Sequence, residues 1–386
     1  MNPEDFLVPE TGELVRVPQG FWAFIPASLP PALTYDPEFV HLLSRADAAL
    51  SELSGLGRLL PNPGLLIAPW IRREAVLSSR IEGTQASLSD VLIDELSAEP
   101  SKDTDVGEVR NYVAALEFGI ARLAELPLSL RLVRELHERL MRGVRGDKST
   151  PGEFRRSQNW IGPSHSTPAT APYVPPPVQE MHACLDAWEK FLHERGAMPD
   201  LVQCALIHEQ FEAIHPFLDG NGRVGRLLIT LFLVERERLS QPLLYLSDYV
   251  EAHRQEYYDT LRRVRTHADW NGWLRFFLAG VAETAADAQR QVTHLIELRE
   301  KYRNEMRGAA RAQQLVDALF TNPYLSVVRA RKLLNVTYPT ANNAIAQLER
   351  AGILQEVTGR KWGRMFVAAD VLAAIDRAGG SAPEDR

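Results

Sequence analysis

The sequence predicts a mostly α-helical protein with one small unit of helices and strands near its C-terminal end. Apolar residues recur at helical spacing over most of the chain, as in Ser129–Met141, where Leu130, Leu132, Val133, Leu136 and Leu140 form a stripe. One stretch without that period, Gly152–Pro177, is rich in proline and reads as non-helical. From Met306 onward, three short helical patterns precede two short β-type runs.

Composition bounds the rest. The 386 residues are enough for two or three domains, and 45% hydrophobic with 24% charged residues is ordinary for a water-soluble globular chain. A net charge of −7 gives no chain-wide nucleic-acid footprint. Cys184 and Cys204 are the only cysteines, too few for a disulfide framework, which points to a reducing cytosol. The start, MNPEDFLVPE, is unlike a signal peptide, and no apolar run approaches membrane-spanning length. A cytoplasmic protein without a membrane partner is expected.

In chain order, Trp22–Pro31 is apolar and punctuated by proline, hence extended. Phe39–Leu59 is helical, with Asp36 and Pro37 as its start signal. Within Leu66–Leu96, Ser78 and Glu82 are four apart and share a helix face, Arg80 lies on the other side, and Gly83 ends or kinks the helix. Taken alone, this is a helix carrying a Ser and a Glu. After a polar loop at Pro100–Asp105, helices are expected over Val106–Leu126 and Ser129–Met141, then a loop at Gly143–Pro151. In Gly152–Pro177, Val174 between prolines reads as an extended edge or hairpin beside a cleft, or as a Pro-rich surface loop. Val178–Arg195 is an amphipathic helix, Asp248–Leu278 is helical with an interruption at the Trp-Asn-Gly-Trp run, and Glu283–Arg307 is a charged helical connector.

The C-terminal unit is expected as helices Ala310–Phe320, Ser326–Leu334 and Pro339–Ala351, with strands Ile353–Val357 and Arg364–Val367 around the basic turn Thr358–Gly363. Three helices and a two-stranded wing make a winged helix-turn-helix. From Met306 to Arg377, ten Lys/Arg stand against five Asp/Glu. That favours phosphate contact, but such units also hold proteins, and the residues leave DNA or protein open. Gly379–Arg386 is expected to be a disordered tail.

The densest chemistry lies in His215–Arg226, HPFLDGNGRVGR, between the helical patterns of Asp200–Phe211 and Leu227–Val234. It is a turn between two helices, the second starting near Gly222. Gly220, Asn221 and Gly222 let backbone N–H groups approach a phosphate at a helix start. Arg223 and Arg226 are placed to reach phosphate oxygens, and Asp219 is a hard ligand of the kind Mg²⁺ uses beside a nucleotide. His215 can take a proton near neutral pH. His208 and His215, seven apart, lack a third ligand at metal-site spacing, so His208 reads as structural.

HPFLDGNGRVGR resembles the Fic signature, His-x-Phe-x-(Asp/Glu)-Gly-Asn-Gly-Arg-x-x-Arg, at every signature position. The resemblance implies a Fic-type helical core with a small β-hairpin flap and a protein adenylyltransferase activity, with ATP as donor, Mg²⁺ as cofactor and a Ser, Thr or Tyr hydroxyl of an unidentified target protein, or of the chain itself, as acceptor. By it, His215 is the base, Asp219 the metal ligand, and Gly220, Asn221, Gly222, Arg223, Val224, Gly225 and Arg226 the nucleotide-binding loop and helix start, with Phe217 as its anchor. Of Tyr257 and Tyr258, either an adenine neighbour or a packing aromatic, Tyr257 is assigned to the adenine. Ser78-Ser79-Arg80-Ile81-Glu82-Gly83 is similar to the Fic inhibitory motif, (Ser/Thr)-x-x-x-Glu-(Gly/Asn), which implies Ser78, Glu82 and Gly83 as a brake in which Glu82 competes for Arg226. Thr170, Ala171, Pro172, Tyr173 and Val174 would form the target-aligning flap. The implied organisation is a helical region over 1–105 with its inhibitory helix at about 66–96, a catalytic core over 106–300 and a winged helix over 306–378. A homodimer is the assembly this family suggests. Removal of AMP instead of its addition, or nucleotide sensing by a DNA-bound regulator, are the alternatives.

Overall fold

In the computed structural model, short 3₁₀ turns at Pro3–Asp5 and Pro9–Thr11 lead into two antiparallel strands, β1 (Gly12–Arg16) and β2 (Trp22–Pro26), in register from Gly12 opposite Pro26 to Arg16 opposite Trp22. The structure describes the chain except residues 7, 60–62, 98, 100, 145–149, 164, 197, 361 and 377–386. The expected tail at Gly379–Arg386 therefore lies outside the described residues. Only the second of these strands is announced by an apolar, proline-bounded run; β1 carries Glu13 and Arg16 and pairs because a short turn returns the chain upon it.

Helices follow: α1 (Pro37–Leu59), α2 (Pro63–Ile81), α3 (Leu88–Asp94), α4 (Thr104–Arg122), α5 (Leu130–Leu140), α6 (Val178–His193), α7 (Asp200–Ile214), α8 (Asn221–Glu235), α9 (Ser247–Ala252), α10 (Arg254–His267) and α11 (Trp270–Glu305). Their starts follow local chemistry. Ser87 and Asp90 form a reciprocal capping box on α3, and the Ser129 hydroxyl accepts the Leu132 N–H at the head of α5. The expected interruption at Trp270–Trp273 is displaced. Ala268 takes a left-handed conformation (φ 53°), Asp269 caps the next helix through the Gly272 N–H at 2.9 Å, and Trp270 begins α11. A caps-and-turn pair, not the glycine, divides the helices.

At the centre lies α7, with Leu201 through Ile214 buried on every side, so that it reads as a core helix and not an amphipathic one. Its carbonyls even serve as acceptors for neighbouring indoles, Trp188 Nε1 to Ile207 O at 3.0 Å and Trp273 Nε1 to Ala205 O at 2.9 Å. α8 packs antiparallel to α7 across the short 215–220 turn, α1 lies along α11, and α2 packs on α4 and α9. A continuous apolar cluster runs from Phe39 through these helices to Ile375.

The expected hairpin around Val174 is reduced to one antiparallel bridge between Ile161 and Tyr173. Its far side is covered: the Phe24 N–H of β2 donates to the Val174 carbonyl at 2.9 Å, and Met1, Phe6, Ala23 and Phe24 bury Ala171, Tyr173 and Val174. After α11 come α12 (Ala310–Thr321), β3 (Tyr324–Ser326), α13 (Val327–Leu334), α14 (Tyr338–Arg350), β4 (Gln355–Glu356), β5 (Met365–Val367) and α15 (Ala369–Asp376), with an antiparallel sheet in the order β3-β5-β4. Strand β3 was not expected, because three residues leading into a helix carry no period of their own. Asn335 ends α13 in the left-handed conformation, as its position after Leu334 anticipates. α12 and α15 pack directly on α2.

Candidate active site

The turn between α7 and α8 is built on one unusual residue. His215 sits at φ 49° and ψ 61°, a left-handed conformation that costs a non-glycine residue roughly 1 kcal/mol or more. Its N–H closes α7 on the Phe211 carbonyl at 3.0 Å, and its own carbonyl accepts from Arg155 Nε and Asn159 Nδ2, both at 3.1 Å. Arg155 is buried and also reaches the Ser157 carbonyl at 3.3 Å and that of Pro176. The strained residue is thus held from outside the motif. Burial, with the charges of Arg155 and Arg265 adding, lowers the His215 pKa to about 3, so the imidazole is neutral at physiological pH.

Beyond it, Asn221 locks the turn. Its side chain accepts the Phe217 N–H at 2.9 Å and donates to the Phe217 carbonyl at 2.8 Å, and Asn159 donates to that same carbonyl at 2.8 Å. The Phe217 ring stacks on buried His137 with centroids 3.7 Å apart and planes at 6°. His137 Nδ1 accepts the Gly152 N–H at 2.9 Å, so Nε2 is the donor to the Asp219 carbonyl at 3.0 Å. Burial lowers the His137 pKa to about 4, which keeps that tautomer uncharged. The Asp219 carboxylate stays 44% exposed at the mouth of the turn, with one oxygen accepting the Gly220 N–H at 2.6 Å.

The two arginines of the motif do different things. Arg226 donates through Nε to Ser78 Oγ at 2.8 Å, and through Nη2 to the Ser78 carbonyl at 2.9 Å and to Glu82 Oε1 at 2.7 Å. Burial acts to raise the Glu82 pKa, but the Arg226 charge and hydrogen bond, with Arg223 behind them, overcome it and the net shift is downward. The carboxylate lies over the start of α8: a Cβ on Gly222 would stand 2.2 Å from Glu82 Oε1. Gly83 directly after it takes φ 99°, the left-handed turn that ends the segment leading out of α2. Arg223, by contrast, points inward. It is buried and pairs with Glu108 of α4 at 2.9 Å, with Met141 Sδ 3.6 Å away.

The structure therefore brings Ser78, Glu82, His215, Asp219, Gly220, Asn221, Gly222 and Arg226 to one place, and separates others from it. Val224 is a fully buried apolar side chain. Gly225 faces α7, where a Cβ would stand 2.5 Å from Glu212 Oε1, and its carbonyl meets His208 Nδ1 at 3.1 Å. Tyr257, assigned above to an adenine, is instead a core residue whose hydroxyl is bonded to His208 Nε2 at 2.8 Å; Tyr258 next to it is 42% exposed. The helix period places Tyr257 inward, and the same bond explains His208 as structural. Thr170 and Pro172 are exposed, but Ala171, Tyr173 and Val174 are buried, and their outward edge is taken by Phe24 and by prolines without N–H groups. The residues that sequence reasoning missed, Glu108, His137, Arg155 and Asn159, come from distant segments and carry no local signal. Glu212 was missed too: it is a buried carboxylate one turn before His215, raised to about 7 chiefly by burial. Among the described residues no group of three or more His, Cys, Asp or Glu is arranged to hold a metal ion, and no helix is long and apolar enough to cross a membrane.

Two family models match the chain, Fic/DOC family N-terminal over residues 40–121 and Fic/DOC family over residues 127–233. The protein adenylyltransferase Fic of Aedes aegypti is 28% identical over 229 residues, 56% of this chain and 42% of that protein. The protein of the same name from Culex quinquefasciatus is 28% identical over 240 residues, 59% of this chain and 44% of that one. The chain thus spans less than half the length of these relatives. Among solved structures, a Fic family protein from Desulfovibrio desulfuricans superimposes with a TM-score of 0.58 at 22% identity, over 88% of this chain and 98% of that one. A Fic domain containing signaling protein from Bacteroides thetaiotaomicron gives 0.51 at 18% identity, over 66% and 97%. Residues 40–121 and 127–233 are thus Fic/DOC family segments, the second carrying the complete signature at His215–Arg226.

Proposed function

We propose that the chain is a protein adenylyltransferase that moves AMP from ATP onto a hydroxyl of a target protein, and onto itself, and that Glu82 restrains it. The observation that carries this reading is the Glu82–Arg226 pair laid over Gly222, at the place where a helix start would otherwise hold an anion. An enzyme acting on a phosphate chain needs that guanidinium and that glycine. A carboxylate on both denies them to the nucleotide, because one Arg226 cannot give the same donors twice.

With the carboxylate displaced, Arg226 and the N–H groups of Gly220–Gly222 hold the phosphates. The target oxygen attacks the α-phosphorus, the bond to the β-phosphate oxygen breaks, pyrophosphate leaves, and the hydroxyl proton passes to the neutral His215 ring. His215 enters this step unprotonated because burial and the neighbouring arginines lower its pKa, and the negative phosphate chain, once bound beside it, would raise its basicity. Asp219 fits Mg²⁺: a single exposed carboxylate leaves the other positions to phosphates and water, as that ion prefers. When bound, Mg²⁺ supplies charge neutralisation at the phosphates. Tyr258, exposed beside the pair, is the aromatic left to meet the base of the nucleotide.

Target alignment belongs to the open side of the Ile161–Tyr173 bridge. Residues 160 and 162 turn their backbone groups away from Tyr173, and Trp160 is 40% exposed with no hydrogen-bond partner among the described residues. An extended target segment can add there by strand pairing, next to Asn159, which touches the His215 carbonyl. The test is intact-mass analysis of the Glu82→Gly chain after incubation with ATP and Mg²⁺. An adduct with the mass of AMP on the chain supports this reading, a different phosphate-containing adduct replaces the donor, and no adduct counts against it.

A further inference from the structure

Charge is segregated across the unit formed by α12–α15 and its sheet. Three of its five acids face the body of the protein. Asp317 pairs with Arg299 at 2.9 Å and Arg303 at 3.2 Å, Asp370 accepts from the Tyr302 hydroxyl at 3.1 Å, and Asp376 lies in the field of Arg73 and Arg80. Glu356 is folded onto the Thr358 and Gly359 N–H groups at 2.9 and 3.0 Å. Arg331, Lys332, Arg350 and Arg360 are exposed, and none of them makes an ion pair among the described residues. In a chain of net charge −7, these are four exposed cations without an ion pair on one small unit.

The inward face is already occupied. Asn322 Nδ2 donates to the Leu92 carbonyl at 2.9 Å, the Tyr324 hydroxyl meets Ser89 Oγ at 3.0 Å, and α12 and α15 lie on α2. What remains open is the side of α14, the α13–α14 turn and the β4–β5 turn. α14 exposes Tyr338, Pro339 and Asn343, and Thr340 and Asn342 in part; of these the threonine and the two asparagines are short hydrogen-bonding side chains of the length that reaches a base edge. Arg364 ties the β4–β5 turn to this helix through Asn342 Oδ1 at 2.9 Å. Trp362 stands 82% exposed on that turn, and Val357 just after β4 is exposed too.

We propose that this outward face binds duplex DNA, with α14 toward a groove and Arg331, Lys332 and Arg360 on phosphates. A polyanion is the ligand that gains from unpaired cations, because each phosphate contact releases bound counterions. A protein partner with a matching acidic patch is the competing class, and the test separates the two. The proposal stands apart from the activity above, since it needs neither His215 nor ATP.

A labelled mixed-sequence duplex of about 20 base pairs, two helical turns, is titrated with the full chain at several salt concentrations and followed by fluorescence anisotropy. Saturable binding is expected, with log K falling linearly against log salt. Arg331→Ala with Lys332→Ala should lower that slope by about 2, close to 0.9 per lost phosphate contact. Trp362→Ala should weaken binding and leave the slope unchanged. All three side chains are exposed, so the variants keep the fold. No binding at low salt, or binding indifferent to these substitutions, overturns the proposal and leaves the face to a protein partner. Equal affinity for unstructured single strands overturns it as well, because it reduces the effect to general polyanion attraction.

Discussion

Glu82 Oε1 stands 2.7 Å from Arg226 Nη2, and a Cβ placed on Gly222 would stand 2.2 Å from that same oxygen. One carboxylate therefore covers both the cation and the helix start of the Fic motif. It is anchored from behind, because Ser78 holds Arg226 twice from α2. The relationship is a competition between an internal anion and an external one, and its consequences can be separated by substitution.

Gly222→Ala separates closeness from charge. The added methyl would meet Glu82 Oε1 at 2.2 Å and Arg226 Nη1 at 3.0 Å, so it expels the carboxylate and also fills the space a phosphate would use. In a Glu82→Gly background, Gly222→Ala is expected to lower ATP affinity by tenfold or more, about 1.4 kcal/mol, measured by titration calorimetry. Affinity equal to that of Glu82→Gly alone would show that the phosphates do not come this close to Gly222.

Glu212 gives a pH signature. Burial raises its carboxyl from 4.5 to about 7. The folded chain then keeps a proton, across the window from 4.5 to about 7, that the unfolded chain has released. The stability from this group is complete below 4.5 and is lost as pH rises through 7. Glu212→Gln removes the dependence, so its stability relative to the unsubstituted chain should climb with pH across that window, by on the order of 3 kcal/mol. Denaturant unfolding at a series of pH values measures it, and a flat difference would mean that Glu212 is ionised throughout.

Asn322 links the C-terminal unit to the segment after the inhibitory motif. It is buried, donates to the Leu92 carbonyl at 2.9 Å, and accepts the Tyr324 N–H at 2.9 Å. Asn322→Ala leaves a buried carbonyl without its donor, at a cost of about 1–3 kcal/mol. Hydrogen exchange should quicken in α2 and α3 and stay unchanged in α7. Unchanged exchange in α2 and α3 would mean that the C-terminal unit does not steady them.

Much of this was legible in the residues. The helices with clean apolar stripes, the α7–α8 turn and the pairing of Glu82 with Arg226 lie close to their sequence positions, because caps, glycines and a dense motif fix them locally. The misses share a cause. Tyr257 and Tyr258 are adjacent on one helix, and only packing against His208 and Trp273 decides which turns inward. Strand β1 shows itself only through its pairing with β2, and the covering of Val174 by Phe24 depends on a contact between segments about 150 residues apart, which no local period records. The partners of the motif, Glu108 to Arg223 and Arg155 to His215, are distant charged residues that look like any others until the fold brings them in.

The most direct test of the central claim is transfer of label from α-³²P-ATP with Mg²⁺, comparing the unsubstituted chain, Glu82→Gly and His215→Ala in the Glu82→Gly background. The account predicts weak labelling of the unsubstituted chain, a rise of tenfold or more in Glu82→Gly, as loss of a charged hydrogen bond worth at least about 1.4 kcal/mol implies, and none once His215 is removed. Labelling that does not rise in Glu82→Gly would contradict the brake, and labelling that persists without His215 would contradict the base.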